Sequence, residues 1–375
     1  MHVKNGNSVS YWGMKMNFTK VKSNKKGIML CLISWIVWVW LIMSLSIWIT
    51  WIMVTKHTQE IIPIEVNENR YLSQVEKIKK PEFPCLVSVY LHKQKIIETI
   101  PLETYVKGVL VAEMPMEFEL EALKAQAIAA RTYIVQKLNE KELRGPQNDE
   151  KIITDTTAHQ AYINQNELKE RWENVHLQKY QGIIEKAIYE TEDQILLFDK
   201  KPIHAVYFST SNGYTENSEE YWIKAYPYLR SVKSHWDQHS SPRYKSMYKF
   251  MEEDLIHKLG LSHIHHDTNH ELGIQVIERS RGNRITKIKI GGKIFSGREI
   301  RDHLGLASTH FDWEWSKNEL KVTTYGFGHG VGMSQYGANA MAKEGKTALE
   351  ILSYYYSGIT IGKASNILSH VVNAG

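Results

Sequence analysis

The distribution of apolar and polar positions separates an N-terminal segment from a longer mixed part. Residues 27–55 carry no charged side chain and are rich in Ile, Leu, Val, Met and Trp. As a helix this run would be roughly 43 Å long at ~1.5 Å per residue, more than the ~30 Å hydrocarbon core of a bilayer. A cleaved signal peptide has a shorter apolar core and a small-residue cleavage site, which this run lacks. The pattern therefore predicts one uncleaved transmembrane helix at 27–55.

A polar, proline-containing linker is expected at 56–84. After it, segments with the apolar spacing of helices alternate with segments that have the apolar spacing of strands. Apolar residues three or four positions apart predict helices, and alternation with a period of two predicts strands. The predicted strands are 86–91, 95–100, 195–198, 203–209, a segment around 274–276, and 285–290. The predicted helices are 102–112, 120–138, 181–191, 335–343, one from the capping box at Ser296 to Gly305, and one from the capping box at Thr347 to Gly358.

These elements mix without a regular strand–helix–strand order, which predicts an α+β fold. Residues 85–243 and 323–375 are expected to form a main domain, and 244–322 a smaller inserted β-rich lobe. Cys85 is the single cysteine beyond the apolar run, so no intrachain disulfide is expected there.

The net charge of +5 belongs to the first 26 residues. That tail holds six lysines and no acidic residue, whereas the remainder carries 40 basic and 41 acidic residues. A basic face for nucleic acid is therefore not expected on the body of the protein. Lysines before an apolar span are typical of a cytoplasmic tail, which predicts that residues from about 56 onward lie outside the cytoplasm.

Glu113 is the first candidate for chemistry. It ends the predicted helix 102–112, in the sequence Ala-Glu-Met-Pro. A partly shielded carboxyl group at such a position can have a raised pKa and act as a general acid. Lys124 and Arg131 lie seven residues apart, on one side of the next helix. The same pattern also fits a surface glutamate beside a solvated basic face, and by itself it favours that interpretation.

A turn and a loop carry further polar groups. The segment 208–216 is dense in hydroxyl and amide side chains, including Ser209, Ser211 and Asn212, and suits a polyhydroxylated ligand or an ordinary hairpin turn. The glycine-rich loop 326–334 contains His329 and is followed by Gln335 and Tyr336. It lacks the Gly-Lys-Ser/Thr ending of a phosphate-binding loop, so it is expected to line a groove or to form a tight connection.

A histidine cluster could in principle bind zinc. It consists of His263, His265, His266 and His270. The cluster contains no cysteine and has no two-turn helical spacing, so no functional metal is predicted there.

Four motifs in fixed order carry a family resemblance. They are PLETYVKGVLVAEMP at 101–115, LKAQAIAARTY at 123–133, FSTSNG at 208–213 and GHGVGMSQYGA at 328–338. Together they resemble the stage II sporulation protein D family, which includes the amidase-enhancer proteins. The segments GREIR at 297–301 and LGL at 304–306 fit as well, and the resemblance covers roughly residues 85–362.

The resemblance implies a membrane-anchored lytic transglycosylase of peptidoglycan that acts during engulfment in sporulation. Such an enzyme cleaves MurNAc–GlcNAc bonds of strands without stem peptides and leaves 1,6-anhydro ends. Its catalytic residue would be Glu113, with Lys124 and Arg131 holding the glutamate or the sugar. The other residues expected to bind substrate are Ser209, Ser211, Asn212, Tyr226, His329, Gln335 and Tyr336.

The resemblance also implies partners, namely stage II sporulation proteins P and M, and a location in the cell membrane. Some family members bind zinc through His and Cys residues after the second motif. This chain has His159 in that region but no cysteine between 86 and 375, so neither zinc nor another cofactor is expected. The alternatives are a non-catalytic glycan-binding module that activates an amidase, and a zinc hydrolase built on the histidine cluster.

Overall fold

The computed structural model describes the chain in several stretches. They are residues 43–46, 48–49, 85–140, 152–156, 159–261, 273–316 and 319–372. Of the predicted membrane span, the two short stretches that are described are helical, and no helix among the described residues is both long and apolar enough to cross a bilayer. The transmembrane helix is therefore not confirmed. The tail 1–26, the linker 56–84 and most of 27–55 lie outside the described residues.

Helices and strands alternate irregularly from residue 86 onward, which confirms the α+β class. The helices are α1 (Leu102–Glu113), α2 (Leu120–Glu140), α3 (Gln165–Glu173), α4 (Val175–Gln178), α5 (Gln181–Glu190), α6 (Ser218–Tyr221), α7 (Asp237–Ser240), α8 (Glu252–Leu259), α9 (Gly297–Leu304), α10 (Gln335–Lys343), α11 (Ala348–Tyr355) and α12 (Ala364–Val372). The strands are β1 (Leu86–Leu91), β2 (Ile96–Pro101), β3 (Ile152–Thr154), β4 (Gln194–Phe198), β5 (Lys201–Pro202), β6 (Tyr207–Phe208), β7 (Gly213–Tyr214), β8 (Lys233–Ser234), β9 (Lys245–Met251), β10 (Ile274–Arg279), β11 (Ile285–Ile290), β12 (Lys293–Ser296), β13 (Phe311–Ser316), β14 (Glu319–Tyr325), β15 (Met333–Ser334) and β16 (Thr360–Lys363).

Local signals fix several of these ends. The Ser296 side chain accepts from the backbone N–H of Glu299, whose carboxylate accepts from the N–H of Ser296, so the capping box before α9 is confirmed. Gly305 ends α9 in the left-handed conformation. The capping box at Thr347 is confirmed too, but α11 ends at Tyr355 rather than at Gly358.

Helix α2 is the centre of the larger apolar core. It packs against α1, α5, α10, α11, α12 and β4. Small alanine side chains, among them Ala122, Ala125, Ala127, Ala129 and Ala130, are wholly buried along it. A helix buried on nearly all sides needs such residues where its neighbours approach closely. Helices α1 and α10, which carry Glu113 and Gln335, therefore both pack against α2.

The described residues form six small sheets. The strand orders are β2–β1–β3, β16–β4–β5, β15–β6, β7–β8, β13–β14–β9 and β10–β11–β12. The described residues from 85 onward belong to one compact unit, which contains two buried apolar clusters. The second cluster runs from Leu255 to Val322 and lies under the last two sheets. The division into a main domain and an inserted lobe at 244–322 stays a prediction.

The predicted strand at 203–209 is wrong in extent. Only Tyr207–Phe208 forms a strand, which pairs in parallel with Met333–Ser334. Just before it the backbone makes two consecutive three-residue turns, from Ala205 N to Ile203 O (3.0 Å) and from Val206 N to His204 O (2.9 Å). These bonds use groups that a longer strand would pair with a neighbour.

Candidate functional site

Glu113 lies at the C-terminal end of α1, half-buried. Its Oε1 accepts a hydrogen bond from the backbone N–H of Ala161, at 3.1 Å. Burial raises the pKa of the Glu113 carboxyl above its ordinary value, and the Ala161 N–H acts in the opposite direction. Among the described residues, the groups that shift this pKa include no second carboxylate. A carboxyl group in this setting is suited to hold a proton and deliver it.

The residue before Ala161 organises two tyrosines around the same carboxyl. Gln160 is 3% exposed; its Oε1 accepts from the Tyr105 hydroxyl (3.0 Å) and its Nε2 donates to the Tyr207 hydroxyl (2.9 Å). The charge of Glu113 contributes to raising the pKa of both phenols well above the ordinary value, although burial contributes most. Gln160, Tyr105 and Tyr207 were not predicted as site residues, because they come from three separate segments.

Gln335, the first residue of α10, faces Glu113 from another direction. Its side chain acts to lower the pKa of Glu113, yet its buried Nε2 reaches hydrogen-bond geometry with no group in the described part of the chain. A buried amide donor without a partner costs free energy. We interpret this group as available to a ligand oxygen beside Glu113.

The glycine-rich loop and the segment 206–216 lie side by side. Phe327 and Thr210 exchange two backbone hydrogen bonds of 2.8 and 3.0 Å, and the N–H of Glu216 donates to Gly330 O at 2.8 Å. Gly332 has φ +79°, and a Cβ there would lie 2.0 Å from the carbonyl oxygen of Val206, so only glycine permits this approach. The two polar segments that the sequence marked separately thus form one surface.

Asp237 supports that surface through buried hydrogen bonds. It was not predicted as a site residue from the sequence. The carboxylate is fully buried; it accepts from the Ser211 N–H (2.8 Å), from the Ser234 hydroxyl (2.9 Å) and from the Ser334 hydroxyl. Burial raises the pKa of Asp237 to about 6 despite these donors. Ser334 is also the N-cap of α10, the helix that begins at Gln335. Asp237 therefore connects the turn at Ser211 with the start of this helix.

An aromatic groove of about 620 Å³ opens beside this surface. Tyr226 stacks on His204 (5.6 Å between ring centroids), and Trp222 meets the same ring edge-on at 6.0 Å. His204 also packs at 5.8 Å against Tyr133 of α2, whose phenol contributes to raising the pKa values of Tyr105 and Tyr207. These ring contacts connect the groove to the neighbourhood of Glu113.

His329 of the glycine-rich loop packs against two of the aromatic residues that line the groove. Its ring packs 5.2 Å from Trp222 and 5.6 Å from Tyr221. Burial and the charges of Arg301 and Arg284 lower the pKa of His329 to about 3. Its Nδ1 accepts from the Val331 N–H at 3.0 Å, so the neutral ring carries its proton on Nε2.

Comparisons with known proteins show the family of the chain. A family model described as "Stage II sporulation protein" matches residues 90–198. The Stage II sporulation protein D of Bacillus amyloliquefaciens is 44% identical over 288 residues, covering 77% of this chain and 82% of the relative. The chain belongs to the stage II sporulation protein D family. The Bacillus subtilis (strain 168) protein of the same name is also 44% identical, covering 76% of this chain and 81% of its own. An Amidase enhancer from the same organism is 26% identical, covering 68% of this chain and 40% of the relative.

Arg131 does not have the position that the family resemblance implied. Its side chain is 0% exposed, and the guanidinium holds Glu103 through two hydrogen bonds of 2.6 and 2.8 Å. A third bond goes to the carbonyl oxygen of Gln194, at 3.2 Å. In the described structure the Arg131 guanidinium bonds to Glu103 and Gln194 and not to Glu113, so its role in holding the sugar or the glutamate stays a prediction. A seven-residue spacing shows which helix face a residue shares but not whether that face is buried.

Lys124 is also engaged elsewhere. Its Nζ lies 2.7 Å from Glu121 and 3.1 Å from Glu190 of α5. Its side chain remains 19% exposed, so it links α2 to α5 at the surface. No contact with Glu113 accompanies these pairs in the described structure.

The polar residues of the turn divide into two kinds. Ser211 and Asn212 are buried and structural: the Ser211 hydroxyl donates to Tyr214 O (3.1 Å), and the Asn212 Nδ2 donates to Gly282 O (2.8 Å). Their predicted substrate contacts are therefore not supported. Ser209 and Tyr336 stay half-buried and adjacent, joined by a bond from Tyr336 N to Ser209 O at 3.1 Å.

Metal binding finds no support in the described part of the chain. No group of three or more His, Cys, Asp or Glu side chains there is placed to hold an ion. The histidine cluster at 263–270 lies outside the described residues. The Nδ1 of His159 lies 2.9 Å from the Thr154 hydroxyl, which is a local contact. The absence of a metal or cofactor stays a prediction.

Proposed function

We propose that this sporulation-family protein is a peptidoglycan lytic transglycosylase with Glu113 as its acid and base. The observation that carries the proposal is the environment of the Glu113 carboxyl group. Burial raises its pKa, so that the group holds a proton more readily, and the backbone N–H of Ala161 fixes its Oε1. A glycoside hydrolase commonly pairs this group with a second carboxylate as nucleophile or base. Intramolecular transglycosylation needs only one such group.

The proposed reaction balances without water. The Glu113 carboxyl gives its proton to the glycosidic oxygen as the bond from that oxygen to MurNAc C1 breaks. The C6 hydroxyl of the same MurNAc then attacks C1, and its proton passes to the Glu113 carboxylate. The products are a 1,6-anhydro end and a free GlcNAc hydroxyl, and Glu113 regains its starting state.

The aromatic groove suits a sugar chain. Trp222 and Tyr226 line it together with charged side chains such as Lys224, whose ammonium group lies 4.9 Å over the Tyr226 ring. Apolar ring faces combined with a few polar groups are typical of specific ligand sites. We place successive sugars along this groove, with the scissile bond at Glu113 and Gln335.

The wider setting is also a proposal. We infer that the basic tail and apolar run anchor the protein in the cell membrane, with the part from residue 85 onward outside the cytoplasm. There it would act on strands that an amidase has already stripped of peptides. The partners proposed for it are stage II sporulation proteins P and M.

A second candidate function rests on the similarity to the Amidase enhancer. That relative's name describes a protein that raises an amidase's activity. In this alternative the aromatic groove binds glycan and Glu113 performs no chemistry. Peptidoglycan strands would then remain intact while an added amidase works faster.

Product analysis on peptide-free glycan strands separates the two functions. The full-length chain should release fragments with 1,6-anhydro ends, and Glu113→Gln should lower that rate by at least about a hundredfold, because positioned acid–base groups contribute ~10²–10⁴. The matched control is Glu117→Gln, an exposed carboxylate four residues away, which should keep the wild-type rate. If Glu113→Gln retains more than about a tenth of the rate, the transglycosylase assignment of Glu113 fails and the activator function is favoured.

A further inference from the structure

The direction of the hydrogen bonds around Gln160 determines where the Tyr207 proton points. The Tyr105 hydroxyl, fully buried, donates to Gln160 Oε1, and Gln160 Nε2 donates to the Tyr207 oxygen. An amide nitrogen can only donate, so Tyr207 is the acceptor in this contact. Its own O–H must therefore point away from Gln160.

Within the described residues, no group accepts the Tyr207 O–H proton. The hydroxyl makes one hydrogen bond, the one that it accepts from Gln160. Tyr207 is half-buried at the start of the surface formed with the glycine-rich loop. The bond from Gln160 fixes the Tyr207 oxygen, and the O–H proton then points in a different direction. A hydroxyl group fixed in this way is preorganised to donate a hydrogen bond to a ligand.

The same short segment locates Glu113 and Tyr207 together. Gln160 holds Tyr207 through its side chain, while the next residue, Ala161, holds Glu113 Oε1 through its backbone N–H. Two adjacent residues thus set the positions of the carboxyl group and the phenol. Burial and the Glu113 charge also raise the pKa of Tyr207 well above its ordinary value, so the phenol remains protonated at neutral pH.

We propose that Tyr207 is a second catalytic residue, which donates a hydrogen bond to the glycosidic oxygen beside Glu113. The inference rests on the proposed transglycosylase function and deepens it. As the bond from C1 to the glycosidic oxygen breaks, negative charge develops on that oxygen. Glu113 transfers a proton to it, and Tyr207 stabilises the charge without losing its own proton. Such preorganised donors act most strongly where charge develops in the transition state.

The test is Tyr207→Phe in the purified full-length chain, with peptide-free glycan strands as substrate. We expect kcat for anhydro ends to fall at least about tenfold, within the range seen when one preorganised donor is removed, while glycan affinity changes less than about threefold. The matched control is Tyr356→Phe, which removes another buried hydroxyl, one that donates to the neighbouring Val206 carbonyl at 2.7 Å. It should keep kcat within about twofold of wild type.

A second substrate separates a catalytic role from a structural one. A GlcNAc–MurNAc 4-nitrophenyl glycoside has a leaving group that needs little help from a donor, so the Tyr207→Phe defect should shrink on it to less than about threefold. An equal defect on both substrates, or a kcat within threefold of wild type on glycan, would overturn the proposal while leaving the assignment of Glu113 intact. If the wild-type chain forms no anhydro ends, the proposed function fails, and the role of Tyr207 fails with it.

Discussion

Replacing Arg131 by Met tests whether this residue stabilises the core or binds substrate. The substitution keeps a long apolar side chain in the interior but removes the guanidinium that holds Glu103 with two hydrogen bonds. The carbonyl oxygen of Gln194 also loses a donor. We expect a large loss of stability and little direct effect on glycan binding.

The magnitude follows from burial of the pair. Removing one partner of a buried ion pair costs ~3–5 kcal/mol. The Glu103 side chain left behind is 27% exposed and can be partly hydrated, so the expected loss is about 3 kcal/mol, at the lower end of that range. At ~2–4 °C per kcal/mol this lowers Tm by roughly 6 to 12 °C. Glu103→Gln should lower the free energy of unfolding more, by about 4 kcal/mol, because it leaves the fully buried Arg131 charge without its partner.

The assay is urea unfolding of both single variants and of the double variant, with glycan affinity measured below the unfolding transition. The double variant should be more stable than the sum of the single losses indicates, by about 2 kcal/mol, because it leaves no unpaired charge. Affinity for peptide-free glycan should stay within about twofold of wild type. An Arg131→Met variant that folds with wild-type stability but binds glycan tenfold more weakly would refute the structural assignment.

Two pH dependences follow from the site. Gln335→Met removes a group that lowers the pKa of Glu113. The acid form then persists to higher pH, so the alkaline limb of the rate profile should move upward; an unmoved limb would show that the Gln335 side chain does not lower this pKa. His329 has its pKa lowered to about 3 in the folded protein against ~6.5 unfolded, so protons bind the unfolded chain first as pH falls from 6.5. The free energy of unfolding should therefore drop between pH 7.5 and 5 by about 1–2 kcal/mol more in wild type than in His329→Asn; equal drops would show that His329 titrates normally.

The α+β class and six of the twelve helices described from residue 102 onward were predictable from the sequence because their signals are local. The capping boxes at Ser296 and Thr347 act within one helical turn, and the apolar spacing of α2 predicts a helix with one buried face. Glu113 was predicted as the catalytic residue from the family motif in which it lies, and this stays a prediction. Each of these features depends on residues that are neighbours in the sequence.

Contacts between distant segments decided the rest. Whether Arg131 faces solvent or Glu103 depends on how α1 and β4 pack against α2. The periodicity of a helical sequence does not show which other elements pack against the helix. The pairing of Tyr207–Phe208 with Met333–Ser334, and the placing of Tyr105, Gln160 and Tyr207 around Glu113, join residues up to 126 positions apart. Buried polar groups must find partners wherever the packed chain provides them, so these assignments arise only once the tertiary structure has formed.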